Sequence, residues 1–151
     1  MNISVDPPDR VGPIALGMSV EQADDALRRI DGLQAEDGPR EPLHGQANYA
    51  SGLSIHTHFG PGSLVNAIEV FRPRADVSVL LHGFDIFGLP AQEVVERIGE
   101  FAELEEEERG CSFIAPELLV ALWRPFVSTT EEDEQGYYFQ SVLVARPGYY
   151  D

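Results

Sequence analysis

The chain has 151 residues, of which 26 are acidic and 10 are basic, so it carries a formal net charge of −16. This length fits one ordinary domain with a real core, and an apolar fraction of 43% argues against intrinsic disorder. A surface this negative repels nucleic acid and anionic membranes and attracts basic partners.

The N-terminal half predicts a helix followed by antiparallel strands. In "PIALGMSVEQADDALRRIDG", Ser19 is a natural N-cap and Gln22 completes a capping box. The helix would bury a stripe made of Val20, Ala23, Leu27 and Ile30. "QANYA", a Ser51–Gly52 turn and "LSIHTHF" then predict a hairpin, and residues 64–72 form the next strand. In the second hairpin strand, the apolar face is opposite a face that carries Ser54, His56 and His58.

The C-terminal half repeats this order. Residues 74–84 join the halves and offer one more strand, after which Pro90 takes a first-turn position in a helix. "EEEERG" (105–110) is expected to be a solvated break. "CSFIA" and "LLVALWR" predict strands, with Leu119, Ala121 and Trp123 on a core face. An acidic loop then leads to a closing strand, "YYFQSVLVAR".

Two matches between the halves indicate an internal repeat. "LGMSVEQADDAL" matches "FGLPAQEVVERI" at an offset of 71 residues, and "AIEVFRP" matches "SVLVARP" at an offset of 74. We therefore predict an α+β fold of two related helix-plus-antiparallel-sheet units in tandem, within a single compact domain of residues 1–151. Residues 11–73 are repeat 1, 84–147 are repeat 2 and 74–83 are a connector, and the two units could share one continuous sheet. The alternative is the weak self-similarity of any α+β chain.

Two resemblances bear on this layout. The turn Gly17-Met18-Ser19 before a helix and antiparallel strands resembles the outer-membrane lipoprotein family of the SmpA/OmlA type, and a tandem pair of such units is similar to the β-lactamase inhibitory protein fold. This chain lacks the lipobox cysteine and the disulfides of those families. "LGMSVEQ", "HGFDIFGLPAQEVVERI", "VALWRP" and "SVLVARPGYYD" resemble small uncharacterised bacterial proteins found among polymorphic-toxin immunity genes. That resemblance implies a cytoplasmic protein that binds and blocks a toxin domain.

The charge distribution fits such a partner. Residues 1–75 have a net charge of −4, and residues 76–151 have −12. We expect a non-enzymatic, acidic binding protein whose second half meets a basic protein, with a toxin domain as the candidate partner. The expected partner-binding residues are Glu105, Glu106, Glu107, Glu108, Glu131, Glu132, Asp133 and Glu134 as steering charges, with Tyr138 as an anchor. An exposed Trp123 would be an anchor too. Solubility alone is the alternative explanation of the acidity.

Catalytic and metal-binding signatures are weak. His56 and His58 lie at i and i+2 on one strand and could ligate a metal, with His44, His82, Cys111 or a carboxylate as a third ligand. The expected explanation is two polar residues on a solvent face, so no metal and no cofactor is predicted. Cys111, the single cysteine, is expected to be an ordinary core thiol rather than a nucleophile. A metal-dependent or hydrolytic enzyme that uses His56 and His58, and a small-ligand or accessory subunit with a pocket between helix and sheet, remain alternatives.

The expected location is the cytoplasm. No apolar run approaches the roughly 20 residues of a membrane span. The first residues show no basic region followed by an apolar stretch. A lone thiol also suits a reducing compartment.

Overall fold

A computed structural model describes residues 1–7, 9–34, 43 and 45–146, which form two β-sheets, three α-helices and two short 3-10 turns. The predicted α+β class is confirmed. The elements, in chain order, are β1 (Asn2–Asp6), β2 (Arg10–Val11), β3 (Ile14–Ala15), α1 (Val20–Arg28), β4 (Gln46–Asn48), β5 (Ser54–Phe59), β6 (Val65–Phe71), β7 (Ser78–Leu81), β8 (Phe84–Asp85), α2 (Ala91–Gly99), β9 (Glu105–Glu107), β10 (Ser112–Ala115), β11 (Val120–Trp123), α3 (Glu134–Tyr137) and β12 (Ser141–Ala145).

The two longer helices begin differently. At α1 the predicted capping box is confirmed, because the Gln22 N–H donates to Ser19 Oγ at 3.2 Å and the Ser19 N–H donates to Gln22 Oε1 at 3.0 Å. Val20 is exposed, so the buried stripe of α1 begins one turn later, at Ala23. At α2, Pro90 was predicted to lie in the first turn, but it is the N-cap, the residue just before the helix. No side chain caps this helix. Within the described residues, no helix is both long and apolar enough to cross a membrane.

Seven strands form an antiparallel sheet in the order β4-β5-β6-β12-β11-β10-β9. Its centre is the pairing of β6 with β12, in which Val70 lies opposite Val142 and Glu69 lies opposite Leu143. Val142 and Val144 are fully buried and Leu143 is partly exposed, which separates a core face from an outer face. The other sheet has the order β3-β2-β1-β7-β8, and its β1–β7 pair is parallel.

The two Arg-Pro sequences end the central strands in the same way. The Arg72 N–H donates to the Gln140 carbonyl at 2.9 Å, and the Arg146 N–H donates to the Asn66 carbonyl at 2.9 Å. The two donors, Arg72 and Arg146, are 74 residues apart, and so are the two acceptors, Asn66 and Gln140. The sequence echo therefore marks two matching strand ends in the middle of one sheet.

The exposure of Trp123 shows which face of β11 is buried, and it is not the predicted one. Val120 and Leu122 are buried, whereas Trp123 is 41% exposed, so the prediction that Leu119, Ala121 and Trp123 face the core was wrong. The strand is apolar on both faces, and a shift of one residue exchanges the faces. Periodicity alone could not fix this phase, because it is set by the pairing of β11 with β10 and β12.

The acidic segments are also more ordered than the sequence predicts. Residues 105–107, expected in a solvated break, form strand β9 at the edge of the sheet, where all three side chains are exposed. Pairing with β10 outweighs the low strand propensity of glutamate, and charged edge strands are common because they prevent edge-to-edge aggregation. The closing strand begins at Ser141 rather than Tyr137, because residues 134–137 coil into α3.

Candidate functional site

A buried arginine joins the two acidic segments that the sequence places far apart. Arg124 is only 7% exposed. Its Nε donates to the Gly110 carbonyl at 2.8 Å and its Nη1 donates to the Gly136 carbonyl at 2.9 Å. Gly110 follows acidic segment 105–108, and Gly136 follows acidic segment 131–134. One guanidinium therefore fixes the ends of both segments.

Arg124 is buried without forming an ion pair. Among the described residues, no carboxylate lies within 4 Å of its nitrogens to form an ion pair. Burial lowers the pKa of the guanidinium, while nearby Cys111 and Glu106 act in the opposite direction. Sequence patterns do not single out this residue. The available signal is its position, since 124 continues the buried alternation of Val120 and Leu122.

The outer face of the sheet combines an exposed tryptophan with acidic side chains. Trp123 pairs with Ser112, and Ser112 pairs with Glu107, so the three residues form one row across β11, β10 and β9. With strands about 4.8 Å apart, Glu107 lies roughly 10 Å from Trp123 along the row. The neighbouring row runs from Ala121 through Ile114 to Glu105. We call Trp123, Ile114, Glu105 and Glu107 the outer-face patch.

Tyr138, the predicted anchor, belongs to a different cluster. The Arg72 guanidinium lies 4.3 Å from the centre of the Tyr138 ring, and the Tyr138 hydroxyl donates to Glu131 at 3.3 Å. Arg72 also forms an ion pair of 3.6 Å with Glu134 and donates to the Phe87 carbonyl. Burial raises the pKa of Tyr138, and the nearby Glu131 carboxylate adds to the shift. Tyr138 is thus held by internal contacts, and Arg72 offsets part of the charge of segment 131–134.

The remaining predicted steering residues divide between solvent and internal contacts. Asp133 accepts a hydrogen bond from the Ser128 hydroxyl at 3.1 Å. Glu106 and Glu108 are exposed, and the pairing of Glu106 with buried Phe113 places it on the core side of β9. Glu132 is exposed between Glu131 and Asp133. The structure therefore places only Glu105 and Glu107 on the same sheet face as Trp123.

His56 and His58 share the outer face with a carboxylate. His58 Nε2 lies 3.7 Å from Glu69 Oε1, and His56 is directly opposite Glu69 in the β5–β6 pair. Among the described residues, no group of three or more His, Cys, Asp or Glu side chains is placed to hold a metal ion. Of the proposed third ligands, His82 stacks on Phe101 at 3.9 Å, Cys111 is partly buried, and His44 lies outside the described residues.

His56 should titrate below the ordinary histidine pKa of about 6.5. Burial lowers its pKa, the Glu69 carboxylate raises it, and His58 lowers it further. The unfolded chain then binds a proton before the folded one, so the free energy of unfolding should fall as the pH drops below about 6.5, and level off below the folded pKa. An NMR titration of the imidazole carbons checks this, with His56→Gln assigning the signal. A midpoint above 6.5 would contradict the expected direction.

Comparison of the chain with protein-family models, with curated proteins and with solved structures found no match.

Proposed function

We propose that this chain is a non-enzymatic binding protein of the immunity type, which engages a basic protein partner in the cytoplasm through the outer-face patch. The observation that carries the proposal is the exposure of Trp123 in one cross-strand row with Glu107. Tryptophan is among the residues that contribute most to binding energy at interfaces. Its position on a paired strand holds it in place before the partner arrives.

The charges supply the other half of the recognition. The second half of the chain has a net charge of −12, and exposed Glu105 and Glu107 of β9 lie on the same sheet face as Trp123, with β10 between. Complementary charge accelerates encounter with a basic surface and discriminates against acidic ones. Because Arg124 fixes the ends of both acidic segments, less conformational entropy is lost when the partner binds. In this proposal Trp123 takes the anchor role predicted for Tyr138.

We also infer that the two halves arose by duplication, with residues 11–73 and 84–147 as related units. At the repeat offset of 74 residues, Leu143 is the equivalent of Glu69, and these two residues lie opposite each other in the sheet. The local twofold axis of the β6–β12 pair therefore passes between equivalent residues. The matching hydrogen bonds of Arg72 and Arg146 support the same relation. Under this proposal the first unit completes the sheet, while the second has gained the acidic surface.

Reversing the charge at Glu105 and Glu107 should slow partner association by about tenfold, because steering depends on local charge. The partner to test is the product of the gene adjacent to this one, measured by surface plasmon resonance at low and high salt. Asp6→Lys with Asp9→Lys is the matched control, since both residues are exposed in the first half and the net change of charge is the same. The control should change the rate by less than about threefold.

Two outcomes would overturn the proposal. One is an association rate that does not depend on salt, and the other is an equal effect of the two double variants.

In the same assay, Trp123→Ala should weaken binding by about 2 kcal/mol, mainly through faster dissociation. An unchanged dissociation rate would mean that Trp123 is not in the interface and that binding is non-specific charge attraction.

A further inference from the structure

Two adjoining clefts open beside α2, on the opposite side of the sheet from Trp123. Their volumes are about 460 and 410 Å³, and both are lined by Gln92 and Arg124. The first cleft is also lined by Glu93, Glu96, Ser128, Thr129 and Tyr137, and the second by Glu106 and Phe113. Each volume falls in the range of small-molecule sites in proteins.

Arg124 borders both clefts as a buried cation that forms no ion pair within 4 Å among the described residues. Two of its five N–H groups are used by the carbonyls of Gly110 and Gly136. Its other N–H groups have no acceptor within hydrogen-bond distance among the described residues. A buried charge is normally paired, because removing it from water without compensation is costly. The free N–H groups of a guanidinium match the two oxygens of a carboxylate.

The N-terminus of α2 borders the first cleft and adds further donors. Pro90, Gln92 and Glu93 line this cleft, and no side chain caps the helix. The first N–H groups of a nine-residue helix have no intrahelical acceptor and favour negative charge. These groups act together with Arg124 rather than forming a site alone.

The carboxylates of the clefts restrict the ligand further. Glu93 forms an ion pair of 3.2 Å with Arg97, one turn along α2. Glu96 in the first cleft and Glu106 in the second form no ion pair within 4 Å among the described residues, although Glu106 acts on the charge of Arg124. A simple anion would be repelled by these two side chains, whereas a ligand with a second, cationic group would bind both kinds of charge.

We propose that these clefts bind a zwitterionic ligand whose carboxylate meets Arg124 and whose cationic group meets Glu96 or Glu106. The chemical class is a basic α-amino acid, or the free carboxyl end of a chain that ends in a basic residue. The site lies on a different face from the outer-face patch and does not depend on the proposed function.

Calorimetric titration with L-arginine tests the site. We expect saturable binding of L-arginine and at least about tenfold weaker binding of agmatine, which lacks the carboxylate. L-Glutamate, which carries an additional negative charge, should not bind. Agmatine binding as tightly as L-arginine would reduce the site to a cation trap and overturn the proposal, as would the absence of saturable binding of L-arginine.

Variants separate the two ends of the ligand. Glu96→Gln should weaken L-arginine binding by about three- to tenfold, while Glu100→Gln, at the end of the same helix and outside the clefts, should leave it unchanged. Arg124→Lys should weaken it by at least about tenfold, because an ammonium lacks the fork geometry. A thermal melt checks whether Arg124→Lys is folded. If it is not, Gln92→Ala, which alters the lining of both clefts, is measured in its place. Equal binding by Glu96→Gln and Glu100→Gln would contradict the proposal.

Short peptides distinguish the two sources of the ligand. If the natural ligand is a chain end, the tripeptide Gly-Gly-Arg should bind more tightly than L-arginine. If it is a free amino acid, the tripeptide should bind more weakly. In both cases the tripeptide amide should lose binding by about tenfold, because its carboxylate is gone. An amide that binds as well as the acid would exclude recognition of a carboxylate by Arg124.

Discussion

Arg124→Met should lower the free energy of unfolding by about 3 kcal/mol. The substitution removes the two hydrogen bonds that the charged guanidinium donates to the carbonyls of Gly110 and Gly136. Both glycines are buried. Each such bond contributes about 1.5–3 kcal/mol. Part of that loss is offset, because the variant no longer buries an unpaired cation. Methionine fills a similar volume, so the effect isolates the hydrogen bonds and the charge from packing.

Chemical denaturation followed by circular dichroism measures this effect. The matched control is Arg97→Met, which removes an exposed arginine whose only recorded ion pair is with Glu93, at i−4 on the same helix. We expect a change of less than about 0.5 kcal/mol in the control. Hydrogen exchange should also become faster in both acidic segments of Arg124→Met at once. Faster exchange in only one segment would mean that Arg124 does not join them.

Local signals in the sequence predict local structure well. The capping box of Ser19 and Gln22 involves residues three apart, and it fixes the start of α1. The hairpin of β4 and β5 is likewise encoded by a short turn and by alternation. Of the predicted apolar face, Leu53, Ile55 and Thr57 are buried, whereas Phe59 is partly exposed after a register shift at His58. These elements need no knowledge of what packs against them.

Long-range pairing decides what the sequence could not predict. Four consecutive glutamates favour a solvated loop, yet β9 forms because β10 offers a partner and the sheet edge leaves the side chains in water. The phase of Trp123 depends on strands that begin at residues 112 and 141. Arg124 bonds to residues 14 positions before and 12 after it, so no spacing rule identifies it. The candidate site is made of such contacts, which is why the sequence predicted its acidic segments but placed Trp123 on the core face.

The β6–β12 pairing itself can be tested by two adjacent substitutions in β12. Val142→Asn should lower the free energy of unfolding by about 4 kcal/mol, because it removes a buried aliphatic side chain and buries an amide without partners. Val142 is fully buried opposite Val70, on the core face at the centre of the sheet. Against a total stability of about 5–15 kcal/mol, a loss of this size leaves the variant marginal or unfolded.

Leu143→Asn is the matched control, since it also replaces an aliphatic side chain by asparagine, one residue later and on the outer face. Leu143 is partly exposed and lies opposite Glu69, so we expect a loss of about 1 kcal/mol. Urea denaturation of the two variants gives the comparison. A slip of one residue would bring Leu143 to the core face and reverse the order of the two effects. Because β11 pairs with β12 and Trp123 lies opposite Ser141, on the same face as Leu143, that reversal would also carry Trp123, the anchor of the proposed function, to the core face.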